Sequence, residues 1–153
     1  MKIQWKNLIT CLAIPLAVGS LSALLTRNNM EAFDSINKPP LAPPGWLFPV
    51  VWTILYILMG IASYLVLMSK KPNDTALTVY GIQLAFNFFW SIIFFNLKQY
   101  LFAFIWLILL WLLILKTVNL FYQISKPAGY LMLPYLLWVT FAGYLNFFIY
   151  LLN

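Results

Sequence analysis

Charged positions in this chain are few and fall between long apolar runs. Stretches free of Asp, Glu, Lys and Arg cover 7–26, 39–69, 75–97, 99–115 (continuing past Lys116 to 125) and 127–153. A helix crosses the hydrocarbon core of a bilayer in about 20 mostly apolar residues. Runs of this length predict helices rather than barrel strands, since a helix satisfies its own backbone in lipid. The expected class is all-α, an integral membrane five-helix bundle forming one domain over 1–153. Its spans fall at about 6–26, 46–69, 75–96, 99–123 and 128–151, with a longer connection over 27–45. The first span has the flanks of a signal peptide, with Lys2 and Lys6 before it. Its apolar run is longer than the roughly 7–15 residues of a signal core, so it reads as a helix.

Composition agrees and removes most chemistries. The chain is 64% hydrophobic and 8% charged, against about 45–50% and 25% in soluble domains. This excludes a soluble globular domain and disorder alike. There is no histidine, one cysteine (Cys11) and three acids, Glu31, Asp34 and Asp74. No His/Cys metal site and no Ser-His-Asp triad can be assembled from these, so no metal is expected and no cofactor is required. No phosphate-cradling glycine pattern is present. The net charge of +6 is spread over the ends of the apolar runs, which suits membrane sorting rather than nucleic acid. Lys2, Lys6, Lys70, Lys71 and Lys126 fall on one side of the membrane, and Arg27, Lys38 and Lys98 on the other. The positive-inside rule then puts the N-terminus in the cytoplasm and the C-terminus outside, in what is expected to be a bacterial cell membrane.

Three connections are short, which makes neighbouring helices antiparallel. The 27–45 connection holds Glu31 and Asp34 and ends in Lys38-Pro39-Pro40-Leu41-Ala42-Pro43-Pro44-Gly45. Its prolines predict a stiff, extended segment. A lid over a binding site and a plain connector are both open readings.

Inside the spans, Gln83, Asn87, Trp90 and Phe94 share one helical stripe by their spacing. Asn87 near mid-span should face the bundle interior, as an interhelical hydrogen bond or a ligand-contacting amide. The last span places Trp138, Ala142, Leu145 and Ile149 on a stripe, with Asn146 beside it. Ala142, small among aromatic neighbours, marks a close helix contact or a pocket floor. Trp46 suits an interfacial anchor, whereas Trp52 lies about 9 Å deeper and suits packing or ligand contact. The first span is rich in small residues, and Gly19 with Ala23 permits close helix approach. No acid lies within a span, which disfavours proton-coupled transport.

Three segments, in order, resemble the tryptophan-rich sensory protein family, also called the translocator protein or peripheral benzodiazepine receptor (TspO/MBR) family. They are Lys38-Pro39 with Ala42-Pro43-Pro44-Gly45-Trp46, Val51-Trp52-Thr53-Ile54-Leu55-Tyr56 and Met59-Gly60; Gln83-Leu84-Ala85 with Asn87, Trp90 and Ile93-Phe94-Phe95; and Pro134-Tyr135-Leu136 with Trp138, Phe141-Ala142 and Leu145-Asn146. The resemblance spans essentially the whole chain and looks bacterial in type. It implies a bundle that usually forms a homodimer, and an interhelical pocket closed by the first loop. It also implies binding of porphyrins such as protoporphyrin IX and of drug-like apolar ligands, with sterols bound by some members. Light- and oxygen-dependent breakdown of the bound porphyrin is proposed for bacterial members. Carried over by position, the pocket includes Trp52, Trp138, Ala142 and Leu145, with Phe48 and Ser22 matching lining positions. Asn87 and Trp90 are further ligand-contact candidates. Trp52 and Trp138 are the candidates for photo-oxidation.

There are departures. The family's Trp-Tyr pair before Lys-Pro is Ala32-Phe33 here, so a tyrosine hydrogen bond is lost while ring stacking by Phe33 survives. A position usually aromatic is Leu41. Phe147 and Leu151 stand where animal members carry the Tyr and Arg of a sterol motif, so sterol recognition through it is not expected. Arg27 and Lys38 are candidate partners for porphyrin propionates. The competing functions are a transporter of small solutes, lipids or sterols, and a ligand-free regulatory scaffold. No inverted repeat supports the first, and the alignment of Trp52, Trp138 and Ala142 with a proline-rich loop speaks against the second.

Overall fold

The computed structural model describes residues 2–153. Helix α1 runs over Trp5–Thr26 and continues through a 3-10 turn, Arg27–Asn29, into the short α2, Met30–Ser35. Then follow α3 (Leu47–Leu67), α4 (Asp74–Ser91) with a π turn at Ile92–Asn96, α5 (Tyr100–Ile124) and α6 (Lys126–Leu152). Among the described residues there is no strand. Five helical stretches among the described residues are long and apolar enough to cross a membrane, and the protein is an all-α integral membrane bundle.

The surface is inverted relative to a soluble protein. Large apolar side chains such as Ile9, Leu24, Leu112 and Leu137 are exposed around the outside, where lipid solvates them. Hydrophobicity therefore cannot hold the helices together, and close packing has to. Glycines supply it. A Cβ on Gly60 would lie 2.8 Å from the Leu12 Cα, so α1 and α3 meet there backbone to backbone. Gly19, one seam position higher, seats the Tyr56 ring. Gly129 does the same against Tyr122 and closes the α5–α6 hairpin.

Two features differ from the sequence expectation. The 27–45 connection is not loop throughout: its first half is helical, because it follows directly from α1 without a breaker until Pro39. And α4 does not stay regular to its end. The Leu97 N–H donates to the Ile92 carbonyl at 3.0 Å, five residues back, which is a π-type widening of the kind that concentrates at functional sites.

Candidate functional site

Helices α3, α4 and α6 converge at mid-bundle on a ladder of buried polar side chains. The Tyr56 hydroxyl donates to Asn87 Oδ1 at 3.0 Å. Asn87 Nδ2 donates to the Tyr135 hydroxyl at 2.8 Å, and that hydroxyl donates to Gln83 Oε1 at 2.6 Å. Asn87 is 2% exposed and Gln83 fully buried. Each such group would be costly in hydrocarbon alone, and the ladder satisfies most of them mutually.

Immediately on the first-loop side of this ladder the packing opens into a cavity of about 380 Å³, within the roughly 300–1,000 Å³ typical of small-molecule sites. Its walls are mainly aromatic. Trp52 stacks on Tyr56, with ring centroids 5.6 Å apart, and meets Trp138 edge to face at 6.5 Å. Trp138 meets Phe48 at 5.9 Å. Trp90 stacks on Phe94 at 5.2 Å, and its indole N–H donates to Asn146 Oδ1 at 3.1 Å. Asn146 in turn donates to the Tyr100 carbonyl at 2.8 Å, tying α4, α5 and α6 at one level. The indole N–H of Trp138 is buried with no acceptor among the described residues.

Of the residues singled out from sequence, Ser22, Phe33, Phe48, Trp52, Trp90, Trp138, Ala142 and Leu145 all line this one cavity. Asn87 does not line it. Its amide bonds Tyr56 through Oδ1 and Tyr135 through Nδ2, linking α4 to α3 and α6. Of the two cations considered, Arg27 lines the cavity and Lys38 does not. The Lys38 ammonium donates to the Asp34 carbonyl at 3.1 Å and sits 4.9 Å from the Phe33 ring centroid. Ala23, read from sequence as allowing close helix approach, is exposed at the cavity wall.

The loop end is closed by Phe33 and by polar side chains whose pairing the sequence does not show. Phe33, carried inward by α2, is 7% exposed and packs on Phe48 and Phe95 at 5.7 and 5.6 Å. Asn29 donates to Asn96 Oδ1 at 2.6 Å, and Asn96 donates to the Leu25 carbonyl at 3.0 Å. Asn153 and Asn37 are joined reciprocally. The Asn37 N–H donates to Asn153 Oδ1 at 3.2 Å, and Asn153 Nδ2 donates to the Asn37 carbonyl at 2.8 Å. Tyr144 donates to the Pro40 carbonyl at 2.8 Å. Asparagines close to a loop are common, and nothing in spacing alone pairs residues so far apart in the chain.

The sequence profile of the TspO/MBR family matches residues 11–152. The chain is 40% identical to the tryptophan-rich protein TspO of Chlorobaculum tepidum, over 100% of this chain and 99% of that protein. It is 39% identical to the tryptophan-rich sensory protein of Cereibacter sphaeroides, over 96% and 91%. It is 34% identical to the translocator protein of Bos taurus, over 94% and 88%.

Proposed function

The chain belongs to the TspO/MBR family, and from that premise we propose that it binds a porphyrin such as protoporphyrin IX in the cavity at the loop end of its bundle. The observation that carries this reading is the convergence of Trp52, Trp138, Trp90, Phe48 and Phe33 from three helices and the loop around one space. A porphyrin is a flat apolar ring with two carboxylates. Aromatic faces and edges suit the ring, and Ala142 leaves depth for it where a larger side chain would not. Arg27, at the rim, supplies a guanidinium for a propionate. The unpartnered indole N–H of Trp138 is a donor left over for an acceptor on the ligand. Drug-like apolar molecules would use the same walls.

A second, dependent reading is light-driven breakdown of the bound ring. It is favoured by two indoles, Trp52 and Trp138, lining the cavity in mutual contact. Electron transfer from an indole to the photoexcited ring, followed by oxygen attack on the ring, needs only contact, light and dioxygen. Among the described residues, the titratable groups lining the cavity are Arg27 and Tyr56, which offer no acid–base pair for hydrolytic chemistry.

The test is titration of purified protein with protoporphyrin IX in the dark, following tryptophan quenching, then illumination with absorbance recorded. Saturable quenching is expected, and its absence overturns the assignment. The double change Trp52→Phe with Trp138→Phe should lower affinity modestly and degradation strongly. Equal photobleaching at matched occupancy would leave a binding protein without the photochemistry.

A further inference from the structure

The loop closes the cavity toward water, yet the cavity is not enclosed. Two of its lining residues on α1, Ser20 and Ala23, are exposed at the outer surface of the bundle, and so are two on α3, Pro49 and Thr53. A residue can border the cavity and be exposed outside only beside an opening. Helices α1 and α3 run antiparallel, so Ser20 and Ala23 stand opposite Pro49 and Thr53. The opening is therefore a gap in the α1–α3 seam. We infer that the cavity is filled and emptied sideways, from the bilayer leaflet at the loop end, through this port between α1 and α3, and that its passenger is a membrane-dissolved amphiphile with a flat apolar body and an anionic head.

The seam shows why the port lies where it does. Farther from the loop, Gly60 meets the Leu12 backbone and Gly19 meets the Tyr56 ring, and the two helices are shut together. Above Tyr56 the facing side chains on α1 are a serine and an alanine, too small to reach across once no glycine draws the backbones close. The rim is suited to hydrocarbon. The Thr53 hydroxyl is spent on the Pro49 carbonyl at 2.7 Å, so it asks nothing of lipid or passenger. Ala23 lies one turn, about 6 Å, below Arg27. Arg27 is itself exposed and lines the cavity. An anionic head can thus stay paired at the membrane surface while the apolar body slides beneath it. The competing route through the loop end meets the Phe33 plug and the Asn29–Asn96 and Asn37–Asn153 pairs.

This inference rests on the porphyrin reading only for the identity of the passenger, and the route can be tested without any porphyrin. Ser22 is buried and lines the cavity. In a Cys11→Ala background, Ser22→Cys places one thiol inside the full-length protein in phosphatidylcholine vesicles. Two reagents are applied, bilayer-dissolved N-phenylmaleimide and a water-soluble charged trimethylammonium thiosulfonate. Rates are scaled to a lipid-facing reference, Ile54→Cys, and a water-facing reference, Ser35→Cys. The apolar reagent should reach the inner thiol at least roughly tenfold more readily than the charged one. Adding Thr53→Trp, or Ala23→Phe from the opposite rim should that variant fail to assemble, should slow the apolar reagent by about tenfold or more. Equal access by the charged reagent, or no effect of either plug, would overturn the port. With protoporphyrin IX, the plug should slow both association and release by roughly tenfold or more, the behaviour of a gate. Failure of the unplugged protein to bind protoporphyrin IX would remove the passenger named above, and the thiol rates would still decide the route.

Discussion

Two halves of one bundle, divided at Tyr56, are filled in opposite ways. Away from the first loop, Met59, Ala62, Val66, Ile114, Phe121, Ala128 and Met132 have no exposure at all, glycines bring backbones together, and the central amides are bonded to tyrosines. Toward the loop, the same helices carry larger rings around empty space. The lesson is that an aromatic-rich membrane helix does not fill its interior by being aromatic. Rings pack at edges and faces several ångströms apart, and without small residues to bring the helices together they frame a cavity. The amide–tyrosine ladder marks the half that holds the fold, and the unpartnered indole N–H of Trp138 lies in the half that surrounds the cavity.

The sharpest way to break this comparison is to exchange the behaviour of the α1–α3 seam. Gly60→Leu puts a side chain where even a Cβ would lie 2.8 Å from the Leu12 backbone. The helices must separate, and overpacking of this kind costs about 1–3 kcal/mol or more. Thermal unfolding in detergent should show a clear loss. Ala23→Leu, on the same seam in the open half, should stay within about 0.5 kcal/mol. Equal losses would mean that the two halves are packed alike.

Next in size is the ladder. Asn87→Leu leaves the Tyr56 and Tyr135 hydroxyls short of a partner, and an orphaned buried group costs about 1–3 kcal/mol. Stability should fall while porphyrin affinity stays within about twofold, since the amide does not line the cavity. A large loss of affinity at unchanged stability would return Asn87 to the site. Ala142→Phe should do the reverse, weakening binding at least tenfold, about 1.4 kcal/mol, with the melting temperature little changed because the new ring enters space rather than a packed contact. Isothermal titration and melting on the same two variants separate the roles.

Legibility in the sequence divides along similar lines. Spans, all-α class and family could be read because a bilayer demands long uncharged runs and because the motif segments are local. The residues of the cavity could be named because the family resemblance carries Trp52, Trp138, Ala142 and Leu145 over by position; helical spacing adds only that the last three share one stripe. The face of Asn87 was readable from its stripe, but its partners lie on two other helices and no spacing within α4 encodes them. Helix α2 was hidden by a polar, proline-ended composition that reads as a loop, so the burial of Phe33 was hidden too. The π turn carries Phe94 and Phe95, which meet Phe33 from the loop, a tertiary contact that no local pattern encodes. The choice between Arg27 and Lys38 turned on Lys38 finding the Asp34 carbonyl, a contact made only because α2 is helical.

The smallest predicted effect lies in the loop that shuts the open half. Pro39, Pro40, Leu41 and Ala42 form a turn in which the Ala42 N–H donates to the Pro39 carbonyl at 3.3 Å. Leu41 occupies its third position with φ 74, a left-handed conformation that glycine adopts freely and a leucine adopts at a cost of roughly 1 kcal/mol. The side chain is 82% exposed, so it recovers little by packing within the chain. Leu41→Gly relieves the strain but gives the unfolded chain more freedom, which is worth about 0.4–1 kcal/mol in the other direction. The two terms nearly cancel, and stability should move by no more than about 0.5 kcal/mol. Leu41→Val has no such compensation, because a β-branched side chain fits a positive φ worst. Hydrogen exchange at the Ala42 amide separates the two. Protection should hold or rise with glycine and fall with valine. If valine is tolerated as well as glycine, the turn carries no strain and the closure of the open half rests on Phe33 and the asparagine pairs alone.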